Sequence, residues 1–237
     1  MERHLDLQLE KLRTRIIKMC SLVDEQVEYA FRAVQEHNKE LAQLVIDRDR
    51  KVDKYDLKID KICQKIFALS QPVAMDLRLI MSSLTINTNL ERIGDIAVNI
   101  SEAVLRFDNK APFFERLKFG VMAEHVKEMI KNAIDSFIEN NAKLAEKVVK
   151  LDDKVDELNK EHHGILIEIM KESPANIEQA VAMLVIIRHL ERLGDHATNI
   201  AEDVYFIVEA QLLKHNYEKL LLNQIRDNED KDDSDES

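Results

Sequence analysis

Apolar residues recur at three- and four-residue intervals along most of the chain, with charged residues between them, the pattern of helices that bury one side and wet the other. The pattern breaks at Asn38, at Ser70-Gln71-Pro72, from Asp108 to Pro112, at Asn140-Asn141 and at Ser173-Pro174. These breaks predict six helices, at roughly 3–37, 39–69, 73–107, 113–139, 142–172 and 175–212. Asn38 and Asn141 are placed as N-caps, and Pro72 and Pro174 are expected in the first turn of their helices, where a missing N–H costs nothing. Helices of about 30 residues run about 45 Å, and short connections make successive ones antiparallel.

The chain contains itself twice. Glu91-Arg-Ile-Gly-Asp-Ile-Ala-Val-Asn-Ile-Ser-Glu-Ala-Val104 returns as Glu191-Arg-Leu-Gly-Asp-His-Ala-Thr-Asn-Ile-Ala-Glu-Asp-Val204, with nine of fourteen positions identical. Upstream the offset is 103 rather than 100: Asn38, Leu41, Ala42 and Val45 match Asn141, Leu144, Ala145 and Val148, and Lys51-Val52-Asp53 matches Lys154-Val155-Asp156. The difference is absorbed at the two Ser/Pro turns. The expected fold is therefore all-α, two tandem up-down-up three-helix bundles related by a pseudo-twofold axis. Residues 1–108 form the first repeat, 109–213 the second, and 214–237 a C-terminal extension.

Composition narrows this without changing it. Four Gly and three Pro in 237 residues are too few for a chain of many tight turns, which excludes a β-sandwich or propeller. The net charge of −11 is concentrated at the end, where Asp227 to Ser237 carries seven acids against Lys231 alone and is expected to be a disordered tail. An acidic surface without clustered Lys/Arg and interleaved aromatics argues against nucleic acid. The longest apolar run, Ala180–Ile187, ends at Arg188, far short of a membrane span, and the first residues have no signal-peptide character. Cys20 and Cys63 stand singly in helical patterns and read as reduced core residues of a cytoplasmic protein that meets membranes only peripherally, through partners.

Candidate chemistry lies in the acids. At 100° per residue, Glu91, Asp95, Asn99 and Glu102 fall at about 0°, 40°, 80° and 20° on one side of the third helix, and Glu191, Asp195, Asn199 and Glu202 repeat this. Asp49, Asp53, Asp56 and Asp60 share one side of the second helix, away from its lysines, and Asp49/Asp53 recur as Asp152/Asp156. Solvated faces usually alternate sign, because like charges at i,i+4 repel. If the second and third helices turn near residue 72, Asp49 comes level with Asp95 and Asp53 with Glu91. In the second copy Asp152 comes level with Asp195 and Asp156 with Glu191. Asp56 and Asp60 then face Thr88 and Leu84 and rank lower, as do Asn99, Glu102, Asn199 and Glu202. Their fifth-helix counterparts, Asn159 and His163, are potential donors too. Four carboxylates so close call for raised pKa values, basic partners or bound cations, and one-turn-spaced oxygen donors suit iron, manganese, magnesium or calcium, with zinc acceptable. Gly94 and Gly194, between the paired acids, imply either a close helix crossing or room for metal-bound water.

Enzyme signatures are weak. Asp195-His196 pairs acid and imidazole as metal-dependent phosphohydrolases do, but the first repeat has Asp95-Ile96 there. No Glu-x-x-His, phosphate loop or Ser/His/Asp arrangement is present. The duplicated E-R-[IL]-G-D-x-A-x-N-I-x-E segments, with the Lys-Val-Asp segments and Ser/Pro turns, resemble the PhoU family over about residues 3 to 212; the acidic tail departs from that pattern. The resemblance implies a non-enzymatic negative regulator of phosphate-starvation genes in cellular phosphate homeostasis. Its implied partners are a PhoR-like sensor histidine kinase and the PstB-like ATPase of a phosphate ABC transporter, or alternatively a Pit-type transporter. It also implies multinuclear iron or zinc on the motifs, here Glu91/Asp95 and Glu191/Asp195, to which the level count adds Asp49, Asp53, Asp152 and Asp156. A homodimer is expected. A metal-dependent phosphohydrolase and a purely structural helical scaffold are the alternatives from other classes.

Overall fold

The computed structural model describes residues 2–213, so the extension and acidic tail lie outside the described residues. Six α-helices follow one another: α1 (Glu2–Glu36), α2 (Lys39–Leu69), α3 (Ala74–Leu105), α4 (Phe119–Glu139), α5 (Ala142–Glu172) and α6 (Ile177–Glu209), with 3-10 turns at Phe114–Arg116 and Pro174–Asn176. Among the described residues there is no strand.

Two helix starts follow from side-chain chemistry the sequence displays. Asn38 accepts from the backbone N–H groups of Glu40 and Leu41, and Asn141 does the same for Lys143 and Leu144, satisfying donors that a helix N-terminus leaves free. At the other end of α4, Asn140 takes a left-handed conformation with φ 52° and ends the helix. Arg13 of α1 donates to the carbonyls of Phe137 and Ile138 there, at 3.0 and 2.7 Å, tying the two repeats together at a helix C-terminus where a cation is favoured.

The structure departs from expectation in two places. The fourth helix begins at Phe119, not 113, and is 21 residues long. The preceding stretch instead buries Phe113, Phe114 and Leu117, and Phe119 itself meets Phe31 edge-on at 6.1 Å and Phe114 at 5.6 Å. Burying that many large side chains at the junction favours a folded-back plug over another helical turn. Pro72, expected inside α3, lies before it, because Val73 is extended at φ −127° and ψ 154° and the helix opens at Ala74. Pro174 opens a 3-10 turn ahead of α6.

Within each repeat the three helices pack on one another, α1 with α2 and α3, α4 with α5 and α6. The repeats join through α3 against α6 and α1 against α4. Helices α2, α3, α6 and α5 therefore form one layer, in that order, and α1 and α4 cover one side of it. The core lies between the layers, with Leu12, Ile16, Ile59, Leu90 and Ile93 buried in the first repeat and Met122, Val126, Leu166, Leu190 and Leu193 in the second. Cys20 and Cys63 are free thiols in this core, and burial pushes both up to about 12, which leaves them protonated and inert as expected. The side of the layer away from α1 and α4 is open. It carries the exposed positions 85, 88, 92, 95 and 99 of α3 and their mates 185, 188, 192, 195 and 199 of α6.

Candidate functional site

Each repeat carries one carboxylate cluster, in the groove between its second and third helices. In the first repeat, α2 supplies Asp49 and Asp53 and α3 supplies Glu91 and Asp95. Burial raises the Asp95 carboxyl above its usual range, and Asp53 across the groove raises it further. Asp49 is raised by burial and then by Asp53 and Asp95, an effect that a hydrogen bond from Gln26 opposes. Glu91 is raised by burial, Asp95, Asp56 and Asp53, with Arg92 opposing. The second cluster repeats the arrangement. Asp152 is pushed up to about 6 by burial, then Asp195 and Asp156. Glu191 is raised by burial and Asp195, and Asp195 by burial and Asp156, with Arg188 and Arg192 opposing in both. The two hairpins thus set the carboxylates that the level count paired within electrostatic reach of one another.

Asp56 belongs nearer the cluster than the count gave it, because its charge reaches Glu91. It is also held in place: Asn87 of α3 donates to Asp56 Oδ1 at 2.7 Å and Asp60 Oδ1 at 3.1 Å. The corresponding Asn159 and His163 of α5 face Ile187 instead of an amide in the repeat alignment, and Asn159 Oδ1 and His163 Nε2 are buried without a hydrogen-bond partner among the described residues.

The lower-ranked residues go elsewhere. Asn99 and Glu102 are exposed further along α3. Asn199 Nδ2 donates to Asn89 Oδ1 at 3.3 Å, and Asn199 and Glu202 line a cleft between α3 and α6 with Thr85, Asn89, Asp203 and Phe206. Asp203 is a half-buried acid that sequence reasoning missed. Burial and Glu202 push it up to about 6, partly offset by the Thr85 and Ser82 hydroxyls. Its repeat mate is Ala103, so the search for duplicated acids passed over it.

The floors of the clusters differ. Gly94 faces Asp49, Gln26 and Val52, each 3.4 Å from where a Cβ would stand, and Gly194 faces Met129 and Val155 at 3.5 to 3.6 Å. Side chains, not a crossing backbone, oppose both glycines. Gln26 is buried in α1, its Nε2 donates to Asp49 Oδ1 at 3.4 Å, and its Oε1 has no partner among the described residues.

This donor set suits a hard cation: acids that repel one another, with an unpartnered amide oxygen behind the first quartet. As they stand, no three His, Cys, Asp or Glu side chains among the described residues converge closely enough to hold an ion. Asp49, Glu91, Asp152 and Glu191 are half-exposed.

The family model described as the PhoU domain matches residues 16–104 and 119–204, one match per repeat. The chain belongs to the PhoU family. This PhoU-family chain is 38% identical over 212 residues to the phosphate-specific transport system accessory protein PhoU homolog of Aquifex aeolicus, covering 90% of this chain and 96% of the relative. It is 34% identical over 213 residues to the phosphate-specific transport system accessory protein PhoU of Serratia marcescens, covering 88% and 86%. The crystal structure of PhoU from Pseudomonas aeruginosa is similar at a TM-score of 0.83 and 33% identity, over 87% of this chain and 99% of that one. The phosphate transport system regulatory protein PhoU from Streptococcus pneumoniae follows at 0.81 and 28%, over 88% and 98%. The PhoU-domain matches exclude the 3-10 plug and the junction around it, where the repeats differ most.

Proposed function

We propose that this PhoU-family chain is a cytoplasmic regulator of phosphate uptake, acting by docking rather than by catalysis. It lowers the phosphate-starvation response through a sensor histidine kinase and the ATPase of a phosphate transporter. Family membership over both repeats supports the phosphate role, since the relatives are named as accessory and regulatory proteins of phosphate transport. No described helix is long and apolar enough to cross a membrane, which fits contact with a transporter from one side.

The observation that carries the site is the duplicated quartet: in each repeat the second and third helices set acids across one groove, and burial and mutual repulsion raise Asp49, Glu91 and Asp95 in the first and Asp152, Glu191 and Asp195 in the second. Asp49, Asp53, Glu91 and Asp95 would hold one set of metal ions, iron, zinc, manganese or magnesium, and Asp152, Asp156, Glu191 and Asp195 the other. Bound cations supply positive charge that turns each groove from repulsive to cohesive. The side chains themselves select hard, oxygen-loving ions and set the charge of the open face that a partner meets.

The test is elemental analysis of protein purified without chelator or affinity metal, beside a variant with all eight acids changed to Ala. Stoichiometric metal in the wild type, lost in the variant with helicity retained, is expected. Metal absent from both removes the metal assignment. The regulatory reading is tested separately, by a phosphate-starvation promoter reporter in cells lacking their own PhoU-family gene: this chain should restore repression in high phosphate, and an unchanged signal overturns it.

A further inference from the structure

The open face carries a second chemistry between the two acidic grooves. Asn89 of α3 meets α6 through His196, whose Nδ1 lies 2.9 Å from Asn89 Oδ1, and through Asn199. The offset of 100 that relates the helices maps this contact onto His189 of α6 opposite Ile96 and Asn99 of α3. The pseudo-twofold axis therefore passes midway, near residues 92 and 192, and both are arginine. On α3, Arg92 points about 100° from Glu91, between the acidic side and the side facing α6, and Arg192 is its mate.

Several features set these arginines apart. Arg92, Arg192 and the neighbouring Arg188 are exposed, and among the described residues they make no hydrogen bond or ion pair, although Arg92 adjoins Glu91 and Arg192 adjoins Glu191. Elsewhere Arg116 pairs with Glu172, Arg48 with Glu25 and Arg32 with Glu36, while Arg78 Nε is buried without a hydrogen-bond partner among the described residues. Both Arg92 and Arg192 bear on one buried imidazole, His196, and Arg188 and Arg192 bear on His189, so the three positive charges gather around the crossing of α3 and α6. His189 Nδ1 is buried there without a partner among the described residues. The exposed Asn99 and Asn199 amides lie one to two turns along.

We propose that Arg92 and Arg192 form a binding site for a phosphate-class oxyanion on the pseudo-twofold axis. Two exposed guanidinium groups flanking one axis suit a tetrahedral dianion, which accepts paired hydrogen bonds on two edges. On a chain of net charge −11, an anion needs such a local reversal of field to bind at all. The flanking acids, Asp95 and Asp195, oppose the anion when bare, and their neutralisation tightens it. The site uses residues outside both carboxylate quartets, so it stands whether or not those take metal.

The test is calorimetric titration of the full chain, after chelator treatment, with inorganic phosphate and, in a second arm, with a phosphoserine peptide. The variants are Arg92→Gln/Arg192→Gln, Arg92→Lys/Arg192→Lys and Asp95→Asn/Asp195→Asn, each checked for helicity by circular dichroism. Saturable phosphate binding is expected in the wild type, weakened about tenfold or more by the Gln pair, partly kept by the Lys pair and tightened by the Asn pair. Peptide binding tighter than phosphate, through the same arginines, assigns the oxyanion to a phosphorylated partner; phosphate equal or tighter assigns it to the free ion. Absence of saturable binding to either probe, or binding that survives the Gln pair, overturns the site.

Discussion

The two carboxylate clusters share their acids but not their surroundings, and the difference shows how a duplicated site diverges without losing its ligands. In the first repeat the cluster has polar support: Gln26 donates to Asp49, and Asn87 clamps Asp56 and Asp60. In the second, Met129 takes the position of Gln26, Ile187 that of Asn87, and Asn159 and His163 those of the two clamped aspartates. The second cluster thus has an apolar floor and fewer acids, while Arg188, where the first repeat has Thr88, adds a cation. The acid most affected is Asp152, pushed up to about 6, whereas its mate Asp49 is held back by the Gln26 amide. The two grooves therefore carry like charge in unlike surroundings.

Giving the second cluster the floor of the first breaks the comparison most strongly. Met129→Gln buries an amide in a fully enclosed position beside Gly194. Stability should fall by about 1–3 kcal/mol, because one end of the amide has no partner, as Gln26 Oε1 has none in the first repeat. At the same time the Asp152 carboxyl should titrate below about 6, by gaining the donor that Asp49 has. Urea unfolding and carboxyl NMR titration read the two effects. A variant in which Asp152 does not move shows that the difference between the clusters does not come from the floor.

A smaller effect is expected from pH. Asp152 has a folded pKa raised above the unfolded value near 3.8, so the folded state holds its proton more tightly. That contribution is present at low pH and is lost as pH rises from about 4 through about 6. His196, held down to about 4 by burial and by Arg92 and Arg192, titrates with the opposite sign over the same range, so the useful quantity is a difference between variants. Measured with chelator present, Asp152→Asn should match the wild type near pH 4 and become the more stable by pH 7. The gain should be no more than about 1–2 kcal/mol, since a half-exposed carboxylate is screened by water. Asp49→Asn should show the same sign and a smaller rise. A difference flat across this range would mean that the acids do not strain the groove.

What the sequence disclosed is what repetition and short-range chemistry encode. Asn38 and Asn141 announce helix starts because a cap acts within three residues, and the quartets were legible because two hairpins of fixed pitch bring equal distances from a turn to one level. The late start of α4 was hidden because Phe113, Phe114 and Phe119 continue a helical apolar pattern while their burial at the junction decides otherwise. Asp203 was hidden because its mate is Ala103, and the floors because Gln26 and Met129 lie on α1 and α4, outside the duplicated segments that aligned. Arg92 and Arg192 were visible as letters of the motif, yet only the crossing of α3 and α6 puts them on an axis.

The smallest difference between the clusters tests why each keeps a glycine in mid-helix, where Gly costs about 1 kcal/mol relative to Ala. Neither position is closed by a backbone, and a methyl group would meet its nearest neighbours at ordinary contact distance. Gly194→Ala would touch Met129, a flexible side chain, and Val155, and should raise stability by up to about 1 kcal/mol in thermal unfolding. Gly94→Ala would place its methyl against Asp49 Oδ1 and Gln26 Oε1, two oxygens that gain nothing from an apolar neighbour, so its gain should be smaller or absent. Equal gains would mean that the polar floor has no energetic consequence at this distance. If the space beside Gly94 serves a cation and its water, the same substitution should also lower the metal content of the first cluster. Gly194→Ala, set against Met129, should leave that content unchanged.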